Sequence, residues 1–323
     1  MAVYDAIKNF HTQFLYEPKI ENEERLEKAS AFVLAGMGGS HLAADLLKIW
    51  NPKLDFIIHK NYGLPDLSED DLRQRLFIAI SYSGNTEEVI DAYEKAGELG
   101  LARAVISVGG KLMERAEKDM LPYIMLPDTG IQPRMALGFT MKAILKFMGE
   151  EEALKELAGL SKTLEPQLYE KEGKVLAEHI RGFVPVIYSS EKNWPIAYNW
   201  KIKFNETGKI PAFGNIFPEL NHNEMTGFDV KETSKHLSEK FYFIFLKDSQ
   251  DHSKIQQRME VTEKLYKDRG LPVELFDLKG DQAFHKIFSS LILADWAAYY
   301  TAVGYGVEPE LVPMVEEFKK LIQ

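Results

Sequence analysis

The 323 residues contain no cysteine. That absence removes disulfides, thiolate nucleophiles, iron–sulfur clusters and Cys-ligated zinc together, and it fits a reducing compartment. Long apolar runs are missing as well: no stretch approaches the ~18–20 residues needed to cross a bilayer. The amino-terminal MAVYDAIKNF is amphipathic and carries Asp5, unlike a signal peptide. The expectation is a cytoplasmic protein with no membrane partner. Basic residues are outnumbered, 39 Lys and Arg against 49 Asp and Glu for a formal charge of -10, which argues against nucleic acid as a partner. The imbalance is even, with 17 basic and 22 acidic side chains in residues 1–150 and 22 and 27 in 151–323. The eight histidines form no HxH, HxxH or HExxH spacing, so no metal site is expected.

What is present is an alternation of short apolar runs and longer amphipathic stretches. A chain of this length accommodates about two domains at ~100–200 residues each. Residues 1–30 read as helix. Strands are predicted at 31–35, 56–58, 76–80, 102–108 and 123–126, with helices over 41–50, from the mid-80s to about 99, and over 134–147. The pattern restarts with a helix-rich stretch over 151–180, its break placed at Gly159. Strands at 184–188, 241–246 and 273–276 follow, with helices over 195–205, 252–269, 283–300 and 309–322. Strands alternating with helices of this length indicate parallel sheets covered on both faces. The expected class is α/β, in two tandem units with a boundary near 150.

Two glycine-rich turns follow predicted strands. GMGGS (36–40) has the G-x-G of a dinucleotide site, but His41 stands where the third glycine belongs. The next strand leads into His59 and Lys60 rather than a ribose-binding acid. No Walker motif occurs, and no cofactor is expected. SYSGNT (81–86) supplies Ser81, Ser83 and Thr86. Gly38, Gly39 and Ser40 with these three hydroxyls place backbone N–H groups and helix amino termini where an anion is favoured, and hydroxyls can complete a phosphate cage. The plainer alternative is that Ser83 or Thr86 caps the following helix. Further on, Glu206 ends a predicted helix, an unfavourable place for a carboxylate unless it has a task. His222 lies in the polar island PELNHNEM, and Lys286 on the otherwise apolar helix AFHKIFSSLILADW. Each has an ordinary reading: a solvated helix end, a solvated loop histidine, and a lysine that reaches water along its helix.

GMGGS and S-x-S-G-x-T on successive strand–helix turns resemble a sugar isomerase (SIS) domain, a phosphosugar-binding module. With QPRMALG (132–138), KFNETGK (203–209), PELNHNEM (218–225) and AFHKIFSSLILADW (283–296), the chain resembles the bifunctional phosphoglucose/phosphomannose isomerases over most of its length. The resemblance implies two tandem SIS domains, 1–150 and 151–323, each a mostly parallel sheet flanked by helices. It implies interconversion of glucose 6-phosphate and mannose 6-phosphate with fructose 6-phosphate, without metal, by homodimers that share active sites between subunits. Glu206 falls on the base, His222 and Lys286 on the ring-opening groups, and Arg134 beside the enediolate. Gly38, Gly39, Ser40, Ser81, Ser83 and Thr86 fall on the substrate-binding turns.

These residue types suit the chemistry. Aldose–ketose isomerisation moves a proton between C1 and C2 of the open-chain sugar through a cis-enediol, a task for one carboxylate base. An arginine keeps its charge and so serves to stabilise the oxyanion. Ring opening moves protons at the ring oxygen and O1, and histidine titrates near neutrality. Two alternatives stay open from the sequence: an amino-sugar phosphate isomerase, and a non-catalytic phosphosugar-binding regulator. A glutaminase partner within this chain would need a cysteine, and a DNA-binding helix-turn-helix has no room.

Overall fold

The computed structural model describes residues 3–280 and 282–322. The chain forms two compact units. Unit 1 spans Asn9–Leu164, and unit 2 runs from Glu165 onward together with the first helix, α1 (Val3–Lys8).

Unit 1 is built on five parallel strands, β1 (Ala31–Gly36), β2 (Asp55–His59), β3 (Leu76–Ile80), β4 (Arg103–Ser107) and β5 (Tyr123–Met125), in the order β2-β1-β3-β4-β5. Helices α2 (Gly39–Trp50), α3 (Glu69–Arg73), α4 (Glu87–Glu98), α5 (Gly110–Lys118), α6 (Leu137–Met148) and α7 (Glu151–Thr163) surround it. Strand side chains alternate between faces. Val33, Ala35, Phe77, Ala79 and Val105 pack with Val89, Tyr93 and Leu112 of α4 and α5 on one face. Phe32, Leu34, Ile78, Ala104 and Ile106 are equally buried and point to the other, where α2 and α6 pack together and reach β1 and β4. Burial on both faces explains why these strands read as unbroken apolar runs rather than alternating ones.

Unit 2 repeats the plan with four parallel strands, β6 (Val184–Ser190), β7 (Phe213–Phe217), β8 (Phe241–Lys247) and β9 (Val273–Asp277), ordered β7-β6-β8-β9. Its helices are α8 (Glu170–His179), α9 (Trp194–Glu206), α10 (Glu224–Gly227), α11 (Lys235–Ser238), α12 (Ser253–Lys267), α13 (Ala283–Tyr305) and α14 (Pro313–Leu321). Val186, Tyr188, Phe217, Phe243 and Phe245 pack against Met259 and Tyr266 of α12. α9 lies on β6 and α13 lies along both α8 and α9. Within α13 nearly every residue from Phe284 to Ala302 is buried.

Some expectations are corrected. Residues 1–30 do not form one helix: α1 stops at Lys8, and 3₁₀ turns cover Phe10–Leu15 and Glu23–Arg25. Pro18 cannot continue a helix, and Asn22 adopts a left-handed φ of 55°. Gly159 breaks nothing. α7 runs through it to Thr163, because one interior glycine costs only about 1 kcal/mol; Pro166 opens a separate 3₁₀ turn beyond it. α6 starts at Leu137 rather than at Arg134, which lies in a 3₁₀ turn begun by Pro133. The short strand β7, with Gly214 and Asn215 at its centre, was not anticipated, nor was α5, which opens on a glycine pair.

Candidate functional site

Both sheets reverse direction in strand order at one place, between β1 and β3 in unit 1 and between β6 and β8 in unit 2. Ligands of open α/β sheets bind outside the carboxyl ends of the strands at such a reversal. In unit 1 the two turns that leave β1 and β3 there are GMGGS and SYSGNT.

They are tied together by their own hydroxyls. Ser40 Oγ accepts from the backbone N–H of Tyr82 at 3.0 Å, joining one turn to the other. Ser81 Oγ and Thr86 Oγ1 lie 2.8 Å apart, and the Thr86 N–H points to Ser81 Oγ at 3.4 Å. Thr86 is the residue before α4, yet its side chain makes no cap hydrogen bond. The capping alternative therefore fails for Thr86. Ser83 is exposed on the rim and accepts locally from the Asn85 N–H at 3.3 Å. Gly38 precedes α2 with a φ of 51°. Gly84 has a φ of +69°, and a Cβ there would fall 1.7 Å from the carbonyl oxygen of Gly109, so the serine turn packs against the turn after β4 only with glycine at that position.

Arg134 belongs to this assembly. A Cβ on Gly39 would stand 2.7 Å from the Arg134 backbone nitrogen, so the Pro133–Arg134 backbone rests directly on the start of α2. The arginine is 2% exposed. Unit 1 thus collects Gly38, Gly39, Ser40, Ser81, Ser83, Thr86 and Arg134 at one end of one sheet. The first-turn N–H groups of α2 and α4 have no intrahelical acceptors, and they open on the same end of the sheet as these hydroxyls.

The matching crevice of unit 2 has opposite chemistry. Asp248 follows β8 and is fully buried, with Asp251, Ser190 and Asn193 around it. Ser190 Oγ donates to Asp251 at 2.8 Å, and Asn193 Nδ2 reaches Asp248 and Asp251 at 3.2 Å. Lys286 Nζ pairs with Asp248 at 2.8 Å, with Lys192 outside at 3.4 Å. Burial alone would raise the Asp248 carboxyl, but hydrogen bonds from Lys286 and the Gln250 N–H, with the charges of Lys286 and Lys192, hold it below the ordinary range. Burial pushes Asp251 up, against the Ser190 hydrogen bond and with help from Asp248. Two buried carboxylates at this crevice disfavour a phosphate there.

Lys286 lies inside this crevice. It is 4% exposed and joined to Asp248 at the carboxyl end of the sheet. Glu206 is at the far end of α9, whose 13 residues start from this same crevice, which puts about 20 Å of helix between them. Lys286 and Glu206 of one chain therefore stand at opposite ends of α9.

Around Glu206 the chain is held from several sides. Thr207 and Gly208 both donate to the Lys203 carbonyl, and Ile210 donates to that of Phe204. A Cβ on Gly208 would meet the Phe204 carbonyl oxygen at 2.8 Å. Lys203 Nζ pairs with Asp295 at 2.6 Å, both about fully buried, and Trp200 Nε1 donates to Ser290 at 3.0 Å. The motifs KFNETGK and AFHKIFSSLILADW are therefore joined by α9–α13 packing, not by Lys286.

His222 ends a 3₁₀ turn (Glu219–His222) after β7 and is exposed. Its neighbours are anchored inward: Asn221 Nδ2 donates to Thr262 at 2.9 Å, and Glu224 accepts from Asn215 and from buried Tyr188. Burial, with the nearby Glu224 carboxylate, raises the Tyr188 hydroxyl far above its usual range, so it stays a donor. PELNHNEM is a braced turn that presents His222 outward. The sequence pointed to His222; the bracing residues carry no pattern that marks them in advance.

Two parallel sheets with hydroxyl-rich turns at the first reversal define a tandem SIS protein. The model of the bacterial phospho-glucose isomerase C-terminal SIS domain matches residues 169–322. The C-terminal domain of glucosamine-fructose-6-phosphate aminotransferase from Francisella tularensis superposes with a TM-score of 0.67 over 96% of each chain at 15% identity, a likeness of fold. The bifunctional phosphoglucose/phosphomannose isomerase of Aquifex aeolicus is 32% identical over 98% of this chain and 97% of its own. The chain belongs to the family of bifunctional phosphoglucose/phosphomannose isomerases, and its class is phosphosugar isomerase. The D-glucosamine-6-phosphate 4-epimerase of Sulfolobus acidocaldarius is also 31% identical, over 69% of this chain and 71% of its own.

Proposed function

We propose that the chain interconverts glucose 6-phosphate and mannose 6-phosphate with fructose 6-phosphate through a cis-enediol, without a metal. The observation that carries this reading is the hydroxyl-lined turn pair of unit 1 with Arg134 set against Gly39. Ser40, Ser81, Ser83 and Thr86 with the amino termini of α2 and α4 hold the phosphate. Glu206 carries the proton between C1 and C2, and Arg134 offsets the enediolate charge. His222 delivers or removes the ring-opening proton. Reprotonation of the planar enediol on one face or the other yields one C2 epimer or the other, so one base serves both aldoses when the enediol turns about C2–C3 to present either face. Incubation with fructose 6-phosphate in EDTA is expected to yield both aldose phosphates; no turnover without added metal would refute the metal-free mechanism.

The exposure of His222 supports a homodimer in which this histidine serves the partner's sugar. Expression of His222→Ala together with Glu206→Gln tests it, since each mixed dimer would rebuild one intact site. Recovery of about a quarter of wild-type turnover from the random mixture is expected for a C2 dimer. Two inactive variants that stay inactive when mixed would show that each chain uses its own histidine. The amino-sugar reading has the Sulfolobus relative in its favour; conversion of glucosamine 6-phosphate faster than fructose 6-phosphate would establish it instead.

A further inference from the structure

The residue three positions after Glu206 stands in a conformation that its side chain does not favour. Lys209 has a φ of +58°, the left-handed region where glycine or asparagine ordinarily follows a helix. Lys209 Nζ donates to the backbone carbonyl of Glu206 and to that of Leu311. The first contact puts a cation on the carbonyl end of α9, where the helix dipole is negative and where Glu206 itself stands. The second ties that end to residues 307–312, the segment between α13 and α14. This segment is itself folded by Glu308, whose carboxylate accepts from the N–H groups of Glu310 at 2.7 Å and Leu311 at 2.6 Å. No residue of α14 is buried, and the Lys209 tie is one fixed point of the segment that leads into it.

We propose that Lys209 is a positioning residue for the base: its ammonium fixes the end of α9 and clamps residues 307–312 there, so that Glu206 keeps one orientation toward the C1–C2 edge. The kcat prediction rests on the reading of Glu206 as base; the clamp itself does not. Lys209→Gly separates positioning from backbone strain, because glycine accepts the left-handed backbone more readily than lysine while the ammonium and its methylene stem are lost. The variant is expected to unfold within a few degrees of the wild-type temperature, the relief of the left-handed backbone offsetting part of the lost hydrogen bonds. Its kcat on fructose 6-phosphate should fall about tenfold or more, the scale of a misplaced catalytic group. Its KM should stay within about threefold, because the phosphate turns of unit 1 are untouched. Lys209→Arg should restore most of the kcat, and Lys209→Asn, which also tolerates this backbone, should behave as Lys209→Gly.

Hydrogen exchange of the intact chain supplies the second readout. Peptides covering 307–322 should exchange roughly tenfold faster in Lys209→Gly, the cost of hydrogen bonds from a charged donor. A kcat within twofold of wild type, or a rise in KM that accounts for the whole loss, overturns the positioning role. Unchanged exchange at 307–322 overturns the clamp. If Glu206→Gln retains wild-type turnover, the base assignment fails and the kcat arm fails with it, while the exchange result still judges the clamp.

Discussion

Replacing Glu206 with glutamine should lower kcat by about 10²–10⁴-fold, the range supplied by a general base, while binding of the sugar phosphate changes little. The carboxylate ends α9, half-buried, with its helix end fixed through Lys203, Phe204 and Lys209. Glutamine keeps the shape and hydrogen-bonding reach of the side chain and removes only its ability to take a proton from C1 or C2. Affinity is expected to reside in the hydroxyl turns of unit 1, which the substitution does not touch. Steady-state kinetics in both directions, with calorimetric titration of the ligand, separate the two effects. A variant within threefold of wild-type kcat would remove Glu206 from the mechanism, and a loss carried by KM alone would make it a binding group.

The second large effect is on stability. Lys203 and Asp295 form an ion pair at 2.6 Å with side chains 2% and 1% exposed. Asp295→Ala leaves the ammonium of Lys203 buried without this counter-charge, a change that costs about 3–5 kcal/mol when a buried pair is broken from one side. Lys203→Met together with Asp295→Leu replaces the pair by apolar bulk and should recover most of that loss, because two desolvated charges contribute little net stability. Denaturant unfolding of the three proteins, followed by tryptophan fluorescence, tests this. Trp200 and Trp296 are buried beside the pair in sequence and report on unit 2. A single-substitution loss under 1 kcal/mol would show that the ammonium finds water or another partner.

Much of this was legible before any coordinates, and the reason is local. The motifs GMGGS and SYSGNT can be read from the chain because glycine geometry and hydroxyl spacing are properties of a few consecutive residues. Likewise the runs at 31–35, 76–80 and 241–246 announce strands buried on both faces. The setting of Lys286 was not legible, because it depends on Asp248, a single acid following an apolar strand 38 residues earlier. The same holds for Lys203 with Asp295, and for Lys209 with the Leu311 carbonyl, 102 residues apart. Within one motif, KFNETGK, one lysine proves to be buried ballast for the α9–α13 contact and the other a clamp on the helix end. Residue type and spacing are the same kind of signal for both. The difference lies in which distant group each one meets.

The contrast between the two crevices was equally invisible to pattern. Both units place a strand-order reversal at the carboxyl ends of parallel strands, and the charge of the residues after β3 and β8 decides their use. Hydroxyls after β3 leave room for an anion; Asp248 and Asp251 after β8 do not. The formal charge of -10 therefore does not bear on phosphate binding, because the groups that would hold the phosphate carry no formal charge.

The central claim is proton transfer between C1 and C2 of a hexose phosphate. Its most direct test is to run the wild-type chain with fructose 6-phosphate in deuterated water and EDTA, following the products by proton NMR. The account predicts both glucose 6-phosphate and mannose 6-phosphate, each with deuterium at C2 acquired from solvent through the base. Aldose phosphates without deuterium at C2 would indicate internal transfer with no exchangeable base, and no aldose phosphate at all would contradict the assigned reaction.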